Sequence, residues 1–281
     1  MHIKITSDST CDLSPALVEK YDIGIIPLVV MKDSKEYLDG VTITPANIFA
    51  HVAAGGSLCS TAARGVAGFQ EEFRKYLAEY DAVIHIDISS DFSSSYQNAC
   101  IAAADMPQVR VIDSRNLSTG QGLVVLKAWE LAQTADNLDT LKQELDAYTS
   151  RVEASFVIDR LDYMVKGGRC SGAAALGANL LNLKPCIEVK DGKMSVVKKY
   201  RGHFDKSIVS YVKDRLTNRD DIDRTTLFIT HTTVAPETLR AVRETIESSG
   251  AFEHIYETDA GCTVSCHCGP GTLGVLFVRK A

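Results

Sequence analysis

Ala82-Val83-Ile84-His85-Ile86-Asp87-Ile88 is a nearly continuous apolar run, and it delivers Ser89-Ser90-Asp91-Phe92-Ser93-Ser94-Ser95-Tyr96 at its end. A short run rich in branched residues and closed by turn formers predicts a strand buried on both faces. Before it, Phe69, Phe73, Tyr76, Leu77 and Tyr80 keep a helical period between Ala62 and Tyr80. After it, a helix through Ala104 leads to a further strand, Val109-Arg110-Val111-Ile112, that ends in Asp113-Ser114. This β-α-β alternation predicts a parallel sheet with helices on both faces, of the kind that binds ligands beyond the carboxyl ends of its strands.

Working outward, Ile3-Lys4-Ile5-Thr6 reads as a first strand running into the polar loop Ser7-Asp8-Ser9-Thr10-Cys11-Asp12-Leu13, before a helix capped by Ser14 and started by Pro15. Ile23 to Val30 reads as one strand, Tyr37-Leu38 as part of a hairpin, and Thr44-Pro45 as the start of a helix closing at Gly55-Gly56. Ser118 and Gly120-Gln121-Gly122 open a long helix carrying the single tryptophan, Trp129. The Gly-Gln-Gly lacks the third glycine of a dinucleotide fingerprint and does not directly follow a strand.

A helix from Thr140 to Tyr148 closes the first part, and we expect a domain change near Ser150. The second part then contains the hairpin Lys184–Lys190/Lys193–Val197 around Asp191-Gly192, helices at Asp205–Leu216 and Pro236–Ser249, and strands Thr226–Thr230 and Leu273–Val278. The expected architecture is therefore two α/β domains. Residues 1–150 form a Rossmann-like parallel sheet with hydroxyl-rich loops, and residues 151–281 a mixed or antiparallel sheet with helices.

The 281 residues are 45% hydrophobic and 23% charged, the composition of an ordinary globular chain. With 30 Lys+Arg against 36 Asp+Glu, the net charge of -6 argues against a non-specific nucleic-acid surface. No apolar run approaches the ~20 residues needed to span a bilayer, and Met1–Asp8 lacks the pattern of a secretory leader. A soluble cytoplasmic protein is expected, and its eight cysteines are expected to be reduced.

Three features carry chemistry. The loops Ser7/Ser9/Thr10, Ser60/Thr61, Ser93/Ser94/Ser95 and Ser114/Ser118 place hydroxyls where free amides and helix dipoles favour an anion, although serine and threonine also cap helices with no ligand at all. Lys166-Gly167-Gly168-Arg169-Cys170-Ser171-Gly172 is a basic glycine-rich corner. There a helix can stop, Arg169 offers a planar fork to a carboxylate or phosphate, and Ser171 can cap an apolar helix reaching Asn182. A helix-loop-helix with a solvated arginine reads the same residues equally well. Finally, Cys262, Cys266, His267 and Cys268 crowd one short span before Gly269-Pro270-Gly271. Adjacent ligands converge poorly on one ion, so His267 is read as a side chain presented to a cleft, and no metal is expected.

Together these segments resemble the DegV family of fatty-acid-binding proteins, including the FakB carriers. The resemblance rests on Ser7-Asp8-Ser9-Thr10 with Asp12-Leu13, Ser60-Thr61, Ser89-Ser90 with Ser93, Asp113-Ser114 with Ser118 to Gly122, Leu161 through Gly167-Gly168-Arg169 and Ser171, and His267 with Gly269-Pro270-Gly271. It implies a long-chain fatty acid buried between the two domains with no further cofactor. Thr61 and Ser93 would bond the carboxylate, Arg169 and His267 would join the polar network at its mouth, and Ser60, Ser94 and Ser118 would complete the ligand-binding set. Leu176, Leu180 and Leu181 become candidates for the tail tunnel. The resemblance also implies a non-catalytic protein that presents the acid to an ATP-dependent fatty acid kinase for acyl-phosphate formation, within phospholipid metabolism. Two departures stand out: Ser60-Thr61-Ala62-Ala63 where many relatives read Thr-Ser-Gln-Pro, and Ser93-Ser94-Ser95 where they read Ser-Gly-Thr.

Two other readings compete. One is a serine or cysteine hydrolase or acyltransferase with His267 as base and Ser93 or Cys266 as nucleophile. The other is a zinc-binding interaction module.

Overall fold

The computed structural model describes residues 1–174 and 183–281. Strand β1 (Ile3–Asp8) pairs in parallel with β2 (Gly24–Ile26) on one side and β6 (Ala82–Asp87) on the other, and β7 (Val109–Asp113) extends the sheet beyond β6. Strand order thus reverses at β1, so the crevice at the ends of β1 and β6 is the natural ligand position of this sheet.

The stretch Ile23 to Val30, expected as one strand, is two. Pro27 has no N–H to give a ladder, and the chain leaves the parallel sheet there. It resumes as β3 (Val29–Lys32), flanked by β4 (Lys35–Leu38) and β5 (Ser60–Ala62) in a small antiparallel sheet. Ser60 and Thr61 therefore lie on a strand rather than in a loop.

Helices form where the caps are written. Ser14 accepts from Leu17 N–H to start α1 (Pro15–Lys20), and Thr44 with Asn47 forms a reciprocal capping box on α2 (Pro45–Ala53). Helices α3 (Val66–Leu77) and α4 (Ser95–Ala103) cover one face of the parallel sheet through Phe69, Phe73, Ala99 and Ala102, packed on Ile26, Val83, Val109 and Val111.

The opposite face meets α5 (Ser118–Ala132), whose residues Ser118 to Val125 are all buried. A helical stretch buried on every face needs cover from more than one side. Its other cover is the second sheet, ordered β13-β12-β14-β8-β10-β11-β9 among the described residues. Its strands are β8 (Val152–Ile158), β9 (Cys170–Ser171), β10 (Leu183–Lys190), β11 (Lys193–Arg201), β12 (Ile222–His231), β13 (His254–Asp259) and β14 (Thr272–Arg279). Along β8, Ala154, Phe156 and Ile158 face α5 and the central core, whereas Val157 faces the outer core under α8 (Phe204–Leu216) and α9 (Pro236–Ser248). Period-two alternation thus serves two cores with one strand. Helix α6 (Leu138–Thr149) packs beside α5 and β7.

The hairpin turn is as expected: Asp191 and Gly192 both have positive φ, 51° and 80°, as a two-residue turn between twisted strands requires. Strand β13 was not anticipated. The apolar helix expected to reach Asn182, with Leu176, Leu180 and Leu181, lies for the most part outside the described residues. Cys170–Ser171 form a short strand parallel to β11.

Candidate functional site

A cavity of about 280 Å³, a size at the lower end for small-molecule sites, opens beside α5 where the ends of β1 and β6 face the second half of the chain. Apolar side chains form most of its wall, among them Ile88, Phe92, Leu117, Met164, Met194 and Val264. Thr61, Ser93, Ser94, Thr263, Arg169 and His267 bring the polar atoms. Leu117, Val264 and Cys268 are shared with a smaller inward space walled by Phe156, Val189 and Leu276, so apolar lining continues toward the central core.

His267 is delivered by α10 (Cys262–Cys268), a short helix where the sequence suggested a loop. Thr263, Val264, His267 and Cys268 share one face at helical spacing, and that face lines the cavity. Carboxylates from the first half of the chain fix the start of α10. Asp39 accepts from Cys262 N–H at 2.9 Å and from Thr263 N–H at 2.9 Å, and Asp12 accepts from Gly261 N–H at 2.8 Å. Carboxyl oxygens placed against the free N–H groups of a helix start supply the acceptors that those groups lack.

The glycine corner has two distinct jobs. Helix α7 (Asp162–Gly167) ends with Gly168 in the left-handed conformation (φ 66°), its N–H bonded to Met164 O. Gly167 instead makes room: a Cβ there would sit 2.3 Å from His267 Nδ1. Arg169 then donates to Phe92 O at 3.2 Å and Gly167 O at 2.7 Å, and Lys166 donates to Leu58 O at 2.7 Å. The corner is thereby bonded to the loops that carry Ser93 and Thr61.

His267 Nε2 lies 2.8 Å from Thr61 Oγ1, while Nδ1 is buried against Gly167 without a hydrogen-bond partner among the described residues. Burial, aided by the Arg169 charge, lowers the imidazole to about 4, so it is neutral at physiological pH. Of the two neutral tautomers, the one with its proton on Nε2 leaves no buried N–H unpaired. Thr61 then accepts from His267, and its own proton is free to donate. Ser93 Oγ likewise accepts, from Ser95 N–H at 3.1 Å, and keeps its proton to give. Thr263 Oγ1, also in the cavity wall, is buried without a partner among the described residues.

Two expected residues are elsewhere. Ser60 alternates with Thr61 along β5 and is exposed, because adjacent strand residues point to opposite faces. Ser118 has positive φ and donates to Asp12 Oδ2 at 2.6 Å, helping to hold the start of α10, and it borders the inner space rather than the mouth. Thr263 went unnoticed in the sequence because α10 did. Its signal was the helical spacing from Thr263 to Cys268, masked by the following Gly-Pro-Gly.

Beneath the site, Asp8 accepts from Ile88 N–H at 2.6 Å and Thr10 N–H at 2.7 Å, and Asp87 accepts from Ser95 Oγ at 3.2 Å. Burial and mutual repulsion push Asp8 up to about 8, and burial pushes Asp87 up to about 7. His85, 3.2 Å from Asp87, is lowered by burial to about 4. These groups hold the strand ends and the start of α4, behind the cavity wall.

A larger open cleft of about 510 Å³ lies elsewhere, lined by charges of both signs including Asp113, Arg115, Glu153 and Glu188. Arg115 is paired with Asp113, and Glu153 and Glu188 with Arg215. Its lining is mainly charged and polar side chains, with Val152 and Val189 between them. Among the described residues no group of three or more His, Cys, Asp or Glu side chains could hold a metal ion, and no helix is long and apolar enough to cross a membrane.

Fold and site define a two-unit α/β protein with a cavity whose wall combines apolar side chains with the hydrogen-bonding groups of Thr61, Ser93, Arg169 and His267. A family model described as "Uncharacterised protein, DegV family" matches residues 2–280. A DegV domain-containing protein of Clostridium acetobutylicum is 34% identical over 99% of both chains. Among solved structures, a DegV family protein from Thermus thermophilus described as fatty-acid binding superposes with a TM-score of 0.88 at 29% identity, covering 100% of each chain. A stearic-acid-binding protein from Eubacterium ventriosum gives 0.84 at 26% identity, covering 100% of this chain and 99% of its own. The chain belongs to the DegV family.

Proposed function

We propose that this protein binds a long-chain fatty acid between its two domains, 1–150 and 151–281, and presents the carboxylate to an ATP-dependent fatty acid kinase. The observation that carries the reading is a cavity lined by both apolar side chains and hydrogen-bonding groups, with Thr61 and Ser93 each left with a proton to donate. An amphiphile with a single anionic end matches that lining. Thr61 and Ser93 bond the carboxylate, Arg169 supplies positive charge beside it, and His267 orients Thr61. Ser94 and Thr263 border the same end, and the tail follows Leu117 and Val264 inward.

In this reading the protein is a cytoplasmic carrier that uses no cofactor and performs no chemistry. It excludes water from the acyl chain and fixes the carboxylate, and the kinase forms the acyl phosphate. The hydrolase reading gains little support, since His267 Nε2 is engaged with Thr61, and Ser93 Oγ with Ser95 N–H.

Native mass spectrometry of the purified protein tests the binding: a non-covalent acyl adduct is expected. A protein that is always empty and takes up neither palmitate nor oleate would overturn it. Hydroxylamine trapping of acyl phosphate with kinase and ATP tests presentation separately, and a loaded carrier that yields none would remove the kinase while leaving the binding.

A further inference from the structure

The function above leaves the crowded cysteines unexplained. Cys59, just before β5, and Cys266, on α10, are 6% and 4% exposed and share one small apolar cluster with Val30, Ile43, Ile48 and Cys262. Each thiol perturbs the other's ionisation, and the segments that carry them are held together by the Thr61–His267 hydrogen bond at 2.8 Å. Cys262 is otherwise engaged, donating to Ile43 O at 3.2 Å. It also sits one turn from Cys266 on the same helix, where Cβ atoms are about 5–6 Å apart against the ~3.8 Å a disulfide needs. Cys268 lines the ligand cavity, on another face of α10. The one cross-element partner for Cys266 in that cluster is Cys59.

We propose that Cys59 and Cys266 are a thiol modification site, which a hydroperoxide converts into a disulfide joining β5 to α10. Cys59 is the attacking thiol. The charges of Lys32 and Lys166 favour its thiolate, though burial outweighs them and leaves the thiol raised, while Cys266 is raised much further by burial. The Cys59 thiolate attacks one peroxide oxygen. The O–O bond breaks, Cys59 becomes a sulfenic acid, and the departing oxygen takes a proton to leave as water or an alcohol. Cys266 sulfur then attacks Cys59 sulfur, the S–O bond breaks, and hydroxide leaves as water with the Cys266 proton. The two sulfurs together lose two electrons and the peroxide gains them. In a reducing compartment the bond is transient, reversed by small thiols.

Its position gives it a consequence. Cys59 lies two residues before Thr61 and Cys266 lies next to His267, and these neighbours are already bonded at 2.8 Å. A disulfide here would clamp together the two elements that frame the polar end of the cavity. On the fatty-acid reading, the oxidised carrier exchanges its ligand more slowly.

The test uses the full folded chain, reduced and then exposed to hydrogen peroxide at pH 8, with peptide mapping under non-reducing conditions. A cross-linked pair of peptides containing Cys59 and Cys266, and an intact mass lower by two hydrogens, are expected. Cys59→Ser abolishes the link and Cys262→Ser keeps it. Linkage of other cysteines in the folded wild type, or oxidation of Cys59 to a sulfinic acid without a cross-link, overturns the proposal. This mapping involves no lipid, so its outcome is independent of the fatty-acid reading. Given a bound acid, oxidation should slow its exchange about tenfold, and dithiothreitol should restore the rate.

Discussion

Asp39 in the first half of the chain accepts the backbone N–H of Thr263 in the second half, at 2.9 Å. It caps a helix from which it is separated by most of the sequence. Because it also accepts from Cys262 N–H, Asp39→Ala leaves two donors without their carboxylate at the start of the helix that carries His267. A loss of about 2 kcal/mol of stability is expected, together with weaker ligand binding. Thr44→Ala, which removes the cap of α2, should cost about 1 kcal/mol and leave affinity unchanged. Urea denaturation and ligand titration of both variants check the pair. Equal effects on affinity would show that Asp39 acts only through general stability.

The adjacent glycines of the corner should fail in different ways. Gly168→Ala forces a side chain into a left-handed backbone with nothing within 4 Å of it, so about 1 kcal/mol of stability is lost and binding survives. Gly167→Ala drives a methyl into the His267 ring, an overpacking worth about 1–3 kcal/mol, and affinity should fall about tenfold or more. Isothermal titration of the two variants with palmitate separates them.

Charge recognition can be separated from tail recognition. Arg169→Ala should weaken a long-chain acid about tenfold, the scale of a hydrogen bond to a charged group, while leaving the methyl ester of the same chain unaffected. Competition against a fluorescent acyl probe measures both. Parallel losses for acid and ester would assign Arg169 to the loop structure alone.

Stability should depend on pH through buried groups that include Asp8, Asp87, His85 and His267, and burial raises Asp12 well above the usual carboxylate range as well. His85 and His267 are held neutral with values lowered from 6.5 to about 4, so their contribution is present above about pH 6.5 and lost as pH falls toward 4. Asp8 and Asp87 are raised from 3.8 to about 8 and about 7, so theirs is complete below 3.8 and lost as pH rises through 7 and 8. Between pH 4 and 6.5 the two effects oppose each other. From 6.5 to 8 only the carboxyls of this set titrate, and stability should fall by up to about 1.4 kcal/mol per pH unit for each proton released. Asp87→Asn, neutral and of the same shape, should flatten that fall. Urea midpoints measured from pH 6 to 8.5 decide it, and a flat wild-type profile would refute the assignment.

Much of the fold was legible. Buried strands such as Ala82–Asp87 announce themselves by continuous apolar residues, and helices such as Pro45–Ala53 by their caps, because both signals are local. The boundary at Pro27 was also written in the sequence and misread, since a missing N–H ends a ladder whatever the hydrophobic pattern says. Strand β13 was missed because it lies at the sheet edge, half exposed, with a weak alternation. Helix α10 was missed because its caps, Asp12 and Asp39, come from the other end of the chain.

The sequence by itself determined the strand-helix alternation, the hydroxyls at the strand ends and the glycine corner, all of which follow from steric limits and hydrogen bonding over a few residues. Tertiary structure alone decided which hydroxyls share a cavity. It set Thr61 and Ser93 there with His267, committed Ser118 to Asp12, turned Ser60 outward, and paired Gly167 with an imidazole a hundred residues away in the chain. Such contacts depend on how two sheets pack across α5, and packing across an interface leaves no periodic trace in either of the segments that meet there.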